Sequence, residues 1–237
     1  MLSYLWRRRL QRFMGYRRTP LAPGEWYHCY TRGIDGRSTF LDHFDYQRFV
    51  QALYLCNNSK PIERSSFWKL THEKVFELPR EKNLVSVGAY ALMPNHVHLL
   101  LKECEEGGIS KFMQRLGTSY TMYFNKRYTH IGNLFVKPFR SKHIMDDSYL
   151  RRIVSYIHCN PAEIFEPGWK KGLVRNPKGL QEKLESFRYA SLTDYSNSSR
   201  PEAALLDWNS INKLLREQMP PLKKLIPDAI EYYQTLS

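Results

Sequence analysis

A chain of 237 residues is long enough to bury a substantial core, as one large domain or as a domain with appendages. Lys and Arg outnumber Asp and Glu by 36 to 23, a net charge of +13, and aromatic residues make up 14%, a mixture suited to tracking phosphates and stacking on bases. No apolar run approaches the roughly 18 residues of a membrane span, and the four cysteines (Cys29, Cys56, Cys104, Cys159) form no Cys-x-x-Cys pair, which argues against a zinc knuckle or redox motif and for a reduced, cytoplasmic setting.

Residues 1–24 contain Arg7, Arg8, Arg9, Arg12, Arg17 and Arg18 with no acidic residue up to Gly24. Without the apolar core of a secretory signal, they are expected to be a basic arm that contacts nucleic acid. From Trp26 to Arg32 the strand formers predict a first strand, stopped at Gly33. A helix is expected from Asp42 to Leu55, with Phe44, Phe49, Ala52 and Leu53 on its core face. Residues 57–82 read as a polar excursion with at most a short helix near Glu73.

Leu84–Leu92 is an apolar strand, and the Met93-Pro94-Asn95 turn signal returns the chain through His96–Glu103 as its antiparallel neighbour. Ile109–Tyr128 predicts a long helix, since Phe112, Leu116, Tyr120 and Phe124 recur every four residues; Arg115 falls on its wetter face. Phe135–Met145, with Lys137, Arg140 and Lys142, fits a basic strand beside the first. Asp146 or Asp147 caps a helix that Pro161 should end, with Leu150, Ile153, Val154 and Ile157 on its buried side and Tyr149, Arg152, Tyr156 and Asn160 on another. Short helices at about 203–217 and 227–235 close the chain.

The order strand, helix, strand, tight turn, strand, helix, strand is that of an α+β, ferredoxin-like split βαβ arrangement: an antiparallel sheet with helices on one face. In that sheet Val97, Leu99 and Leu101 face the helices, while His96 and His98 point together into a cleft. Two adjacent imidazoles can share a divalent metal, and an added oxygen ligand from Asn160 favours Mg²⁺ or Mn²⁺ over structural zinc. Tyr156, four residues before Asn160, is the candidate nucleophile among sixteen tyrosines, although spacing alone favours plain packing for it.

Pro94-Asn95-His96-Val97-His98-Leu99-Leu100 resembles the histidine-hydrophobe-histidine motif of single-tyrosine transposases of the IS200/IS605 type. Tyr156-Ile157-His158-Cys159-Asn160-Pro161 is similar to the catalytic helix end of the REP-associated tyrosine transposases, as are Gln114–Tyr120 and Phe139-Arg140-Ser141 to other parts of that group. The resemblance implies that His96 and His98 bind the metal, with Asn160 where glutamine is often found. It implies that Tyr156 cuts single-stranded DNA through a 5′-phosphotyrosine, and that the DNA partner is an imperfect hairpin, a repetitive extragenic palindrome. It divides the chain into an arm (1–24), a catalytic domain (25–165) and a helical C-terminal extension (166–237). The DNA-contacting set is then Arg7, Arg8, Arg9, Arg12, Arg17, Arg18, Arg115, Lys137, Arg140, Lys142 and Arg152, with monomer and homodimer both open. The rivals are a hairpin binder that does not cut and a relaxase or replication initiator. A histidine-triad hydrolase would need a third alternating histidine, and position 100 is Leu100.

Overall fold

The computed structural model describes residues 20–61, 69–196, 199–215 and 222–234. At its centre lies a sheet of four strands, β1 (Trp26–Arg32), β2 (Val85–Met93), β3 (His96–Glu103) and β4 (Arg140–His143), in the order β2-β3-β1-β4 with every neighbour antiparallel. Pro94 and Asn95 make the tight connection, which sets Met93 opposite His96. β2 is buried along its whole length, as its mostly apolar run requires. Its pairing slips at Gly88, between Val87 and Ala89, where a Cβ would come within 2.9 Å of the Leu100 and Trp26 side chains.

The two long helices of the split βαβ pattern, α1 (His43–Cys56) and α3 (Gly108–Tyr128), share one face of the sheet, with the short α2 (His72–Val75) between them in sequence. Phe49 of α1, Leu116 of α3 and Val97 of β3 meet on that side. Phe112, Leu116, Tyr120 and Phe124 are all buried, as their spacing predicts. Phe44 departs from expectation: it is 63% exposed, because it sits in the first turn, where Asp42 caps the Phe44 and Asp45 amides, and the guanidinium of Arg127 and the His43 ring are its neighbours. Asp45 instead is buried, joining α1 to α3 by accepting from Tyr123 Oη (2.9 Å), Tyr128 Oη (2.8 Å) and Arg127 (2.8 Å).

Helix α4 (Asp147–Cys159) is capped by Asp146, which accepts from the Tyr149 amide. It packs on β2 and β3 from the opposite side, covering the face that the split βαβ pattern by itself leaves open. Leu150, Ile153, Val154 and Ile157 are buried, each contributing about 1.5–3 kcal/mol on leaving water. After Pro161 come α5 (Ala162–Phe165), α6 (Pro177–Glu185), α7 (Leu192–Ser196), α8 (Trp208–Leu215) and α9 (Leu222–Gln234). The helix expected at 203–217 divides into a 3₁₀ turn (Pro201–Leu205) and α8; the last begins at Leu222 and runs through Pro227. α9 lies on α4, and Leu225 and Ala229 join Cys159, Ala162 and Trp169 in a second apolar cluster. No helix among the described residues is long and apolar enough to cross a membrane. Arg7, Arg8, Arg9, Arg12, Arg17 and Arg18 lie outside the described residues.

Candidate active site

Alternation along β3 puts His96 and His98 on the face covered by α4. β1 pairs with Tyr30 opposite His98 and Arg32 opposite His96, so His28, Tyr30 and Arg32 make a second row on that face. His28 Nε2 and His98 Nδ1 share a hydrogen bond of 2.8 Å, their rings stacked with centroids 5.0 Å apart. His96 Nδ1–H donates to Asn95 Oδ1 at 2.7 Å. The two β3 imidazoles, perpendicular and 5.0 Å apart, thus have their Nδ1 atoms engaged, which leaves Nε2 as the remaining nitrogen of each ring.

Helix α4 brings Tyr156 edge-on to His98 and His28, its ring 5.6 Å from the first and 5.9 Å from the second. Asn160 stays helical (φ −53°, ψ −41°) although Pro161 follows, so it lies one turn beyond Tyr156. Its Nδ2 donates to the Tyr156 carbonyl at 3.0 Å, which leaves Oδ1 buried without a hydrogen-bond partner. The far wall carries Glu163 and Lys170, paired at 2.9 Å. With Tyr30, Arg32 and Arg140 they enclose a cleft of about 520 Å³.

Burial holds the histidines neutral, the form that binds metal. It drives His28 down to about 3 and His96 to about 4, with Lys142 adding to the first and Lys170 to the second. His98 is lowered by burial, then by the neighbouring His28 and His96. Burial raises the Tyr156 phenol, while the Asn160 amide and the Lys170 charge pull it back. Among the described residues no three His, Cys, Asp or Glu side chains form a metal cluster; the donors here are two imidazoles and an orphaned amide oxygen. That mixed nitrogen and oxygen set fits a hard divalent cation.

Of the expected contact residues, Arg140 lines the cleft. Lys137 borders a separate apolar cavity of about 340 Å³ on the α1–α3 side. Lys142 covers the rings of Tyr149 and Tyr232. Arg152 reaches Ser148 and Glu231, and Arg115 donates to the carbonyls of Asn58 and Ser59, away from the cleft. His28, Arg32, Glu163 and Lys170 were not anticipated. The first two share a period-2 row with Tyr30 that the sequence displays; the last two depend on how the chain folds back after Pro161.

Residues 49–160, from α1 through both histidines and Tyr156 to Asn160, match the family model described as Transposase IS200 like. That stretch, just under half of the chain, is similar to an IS200-like transposase domain. A solved REP-associated tyrosine transposase bound to a REP hairpin is similar at 17% identity and a TM-score of 0.51, over 79% of this chain and 88% of that one; the two share a fold. A bacterial tRNA(His) guanylyltransferase-like protein in complex with ATP is similar more loosely, at 10% identity and a TM-score of 0.34, over 77% and 76% of the two chains. No curated protein matches the sequence significantly. The IS200-like match includes the β3 histidines and α4 but neither β1 nor the turn that holds Lys170.

Proposed function

We propose that this protein is a transposase of the IS200-like kind, a metal-dependent, single-tyrosine enzyme that cleaves and rejoins single-stranded DNA beside a hairpin. The observation that carries the reading is that His96 and His98 of β3 and Tyr156 of α4 line one cleft, with the buried Asn160 one helical turn beyond Tyr156. His96 and His98 would hold Mg²⁺ or Mn²⁺ through Nε2, and Asn160 through Oδ1. When bound, that cation would act as a Lewis acid on the phosphodiester. Tyr156 Oη loses its proton and attacks phosphorus; the P–O3′ bond breaks, and the departing oxygen takes up a proton as a 3′-hydroxyl. The 5′ end stays on the protein as a phosphotyrosine, so one phosphodiester replaces another and the reversed attack rejoins DNA.

A hairpin partner is supported by the similar transposase bound to a REP hairpin and by the net charge of +13, which favours phosphate contact. Arg7, Arg8, Arg9, Arg12, Arg17 and Arg18 of the arm, with the surface cations Lys137, Arg140, Lys142 and Arg152, are the proposed DNA contacts. One observation favours a second reading, a hairpin binder that does not cut: Tyr156 is only 7% exposed. Incubation with Mn²⁺ and a panel of hairpin oligonucleotides with single-stranded flanks separates the two. The enzyme gives a covalent protein–DNA band on a denaturing gel that Tyr156→Phe abolishes; binding without any adduct sinks the cleavage reading.

A further inference from the structure

Three cations, Arg32, Arg140 and Lys170, face one carboxylate, Glu163, around the cleft, and they are not equivalent. Arg32 and Arg140 are exposed at its rim. The Lys170 side chain is only 21% exposed. It stands on a 3₁₀ turn (Trp169–Lys171) anchored by the fully buried Trp169, with its Nζ 2.9 Å from Glu163 Oε2 and 5.1 Å from the centre of the Tyr233 ring. A lysine clamped between a carboxylate and a ring has lost most of its rotamer freedom, and holding it facing a cleft has no packing purpose.

We propose that Lys170 is a catalytic residue that binds the scissile phosphate, its ammonium pairing with a non-bridging oxygen while Tyr156 attacks and Glu163 holds the lysine in place. The inference rests on the phosphotyrosine reading above and adds the phosphate-binding group to it. As the new bond from Tyr156 Oη to phosphorus forms and the P–O3′ bond breaks, negative charge builds on the non-bridging oxygens. A fixed, partly desolvated cation stabilises that charge more than the ground state. A compact ammonium suits a single oxygen, whereas a guanidinium would demand a two-point contact.

The test uses the full chain, Mn²⁺ and whichever hairpin oligonucleotide gives the wild-type adduct, with single-turnover rates of adduct formation and hairpin affinity measured separately. Lys170→Met is expected to slow adduct formation by about 10²-fold while hairpin affinity changes by less than about threefold, and Lys170→Arg to recover part of the rate. Replacing the scissile phosphate by a neutral methylphosphonate should bring wild type and Lys170→Met to the same rate, a convergence that a merely structural lysine would not produce. Should Lys170→Met unfold, Lys170→Gln carries the comparison. A lysine variant that forms adduct at the wild-type rate overturns the assignment of Lys170 alone, whereas a wild type that forms no adduct on any hairpin overturns the parent reading and this one with it.

Discussion

His28 Nε2 lies 2.8 Å from His98 Nδ1, a buried contact between β1 and β3 that orients one of the two imidazoles proposed to bind the metal. A ligand imidazole whose second nitrogen is fixed presents the first at a set angle, and loss of such a partner costs about 10–100-fold in metal affinity. His28→Ala is therefore expected to weaken Mn²⁺ binding by that factor in calorimetry and to slow adduct formation, while His28→Gln, which can still hydrogen-bond His98, recovers part of both. Unchanged Mn²⁺ affinity in His28→Ala would remove His28 from the site.

The phenol of Tyr156 is held partly by the C-terminal helix. The Tyr232 ring on α9 lies 5.1 Å from the Tyr156 ring, and its hydroxyl is 2.9 Å from that of Tyr149. Tyr232 is 1% exposed. Tyr232→Phe removes one hydrogen bond and should cost about 1 kcal/mol; Tyr232→Ala opens a cavity between α4 and α9 and should cost about 3–5 kcal/mol. Urea unfolding of the two variants gives the comparison, and equal losses would mean that the hydroxyl pair, not the ring packing, joins the helices.

How far the sequence carried depends on which interactions are local. β2 and β3 were legible because one is a mostly apolar run and the other alternates, and α3 because Phe112, Leu116, Tyr120 and Phe124 mark one stripe. Phe44 was misplaced because hydrophobicity in a first turn says nothing about which way that turn faces. Pro227 hid the start of α9, since a proline reads as a helix boundary although a helix can run through one. In the site, His96, His98, Tyr156 and Asn160 stood in short motifs. His28 meets His98 only through the register of β1 on β3, and Lys170 meets Glu163 only because α5 and the following turn fold back over the cleft, so neither left a local pattern.

Gly88 tests the sheet next to this site. It sits where β2 slips in register against β3, and a methyl there would fall 2.8 Å from a Trp26 ring carbon and 2.9 Å from Leu100 Cδ2. Both obstacles are side chains, so the strand can yield, at the cost of displacing well-packed neighbours. Gly88→Ala should destabilise by about 1–3 kcal/mol, read as a lower urea midpoint at an unchanged slope. A variant as stable as the parent would mean that Trp26 swings aside freely.

Asp194 offers a pH signature away from the candidate active site. Its side chain is fully buried, with Oδ1 3.0 Å from Arg200 Nε and Oδ2 accepting from Tyr90 Oη at 3.3 Å. Burial, joined by the nearby Glu202, outweighs the Arg200 charge and raises the carboxyl to about 7. The sign follows from proton linkage: between the unfolded value of 3.8 and the folded value near 7 the native chain binds a proton that the unfolded chain releases, so this group adds stability as pH falls through that window and adds none above it. Asp194→Asn cannot titrate. The stability of the wild type relative to Asp194→Asn is thus expected to rise as pH is lowered from 8 to 5, by on the order of 1 kcal/mol per pH unit; taking the difference cancels the histidines that destabilise both proteins in acid. A difference that falls over the same range would show that Arg200 keeps Asp194 ionised and that the pair, not the buried acid, governs this corner of the fold.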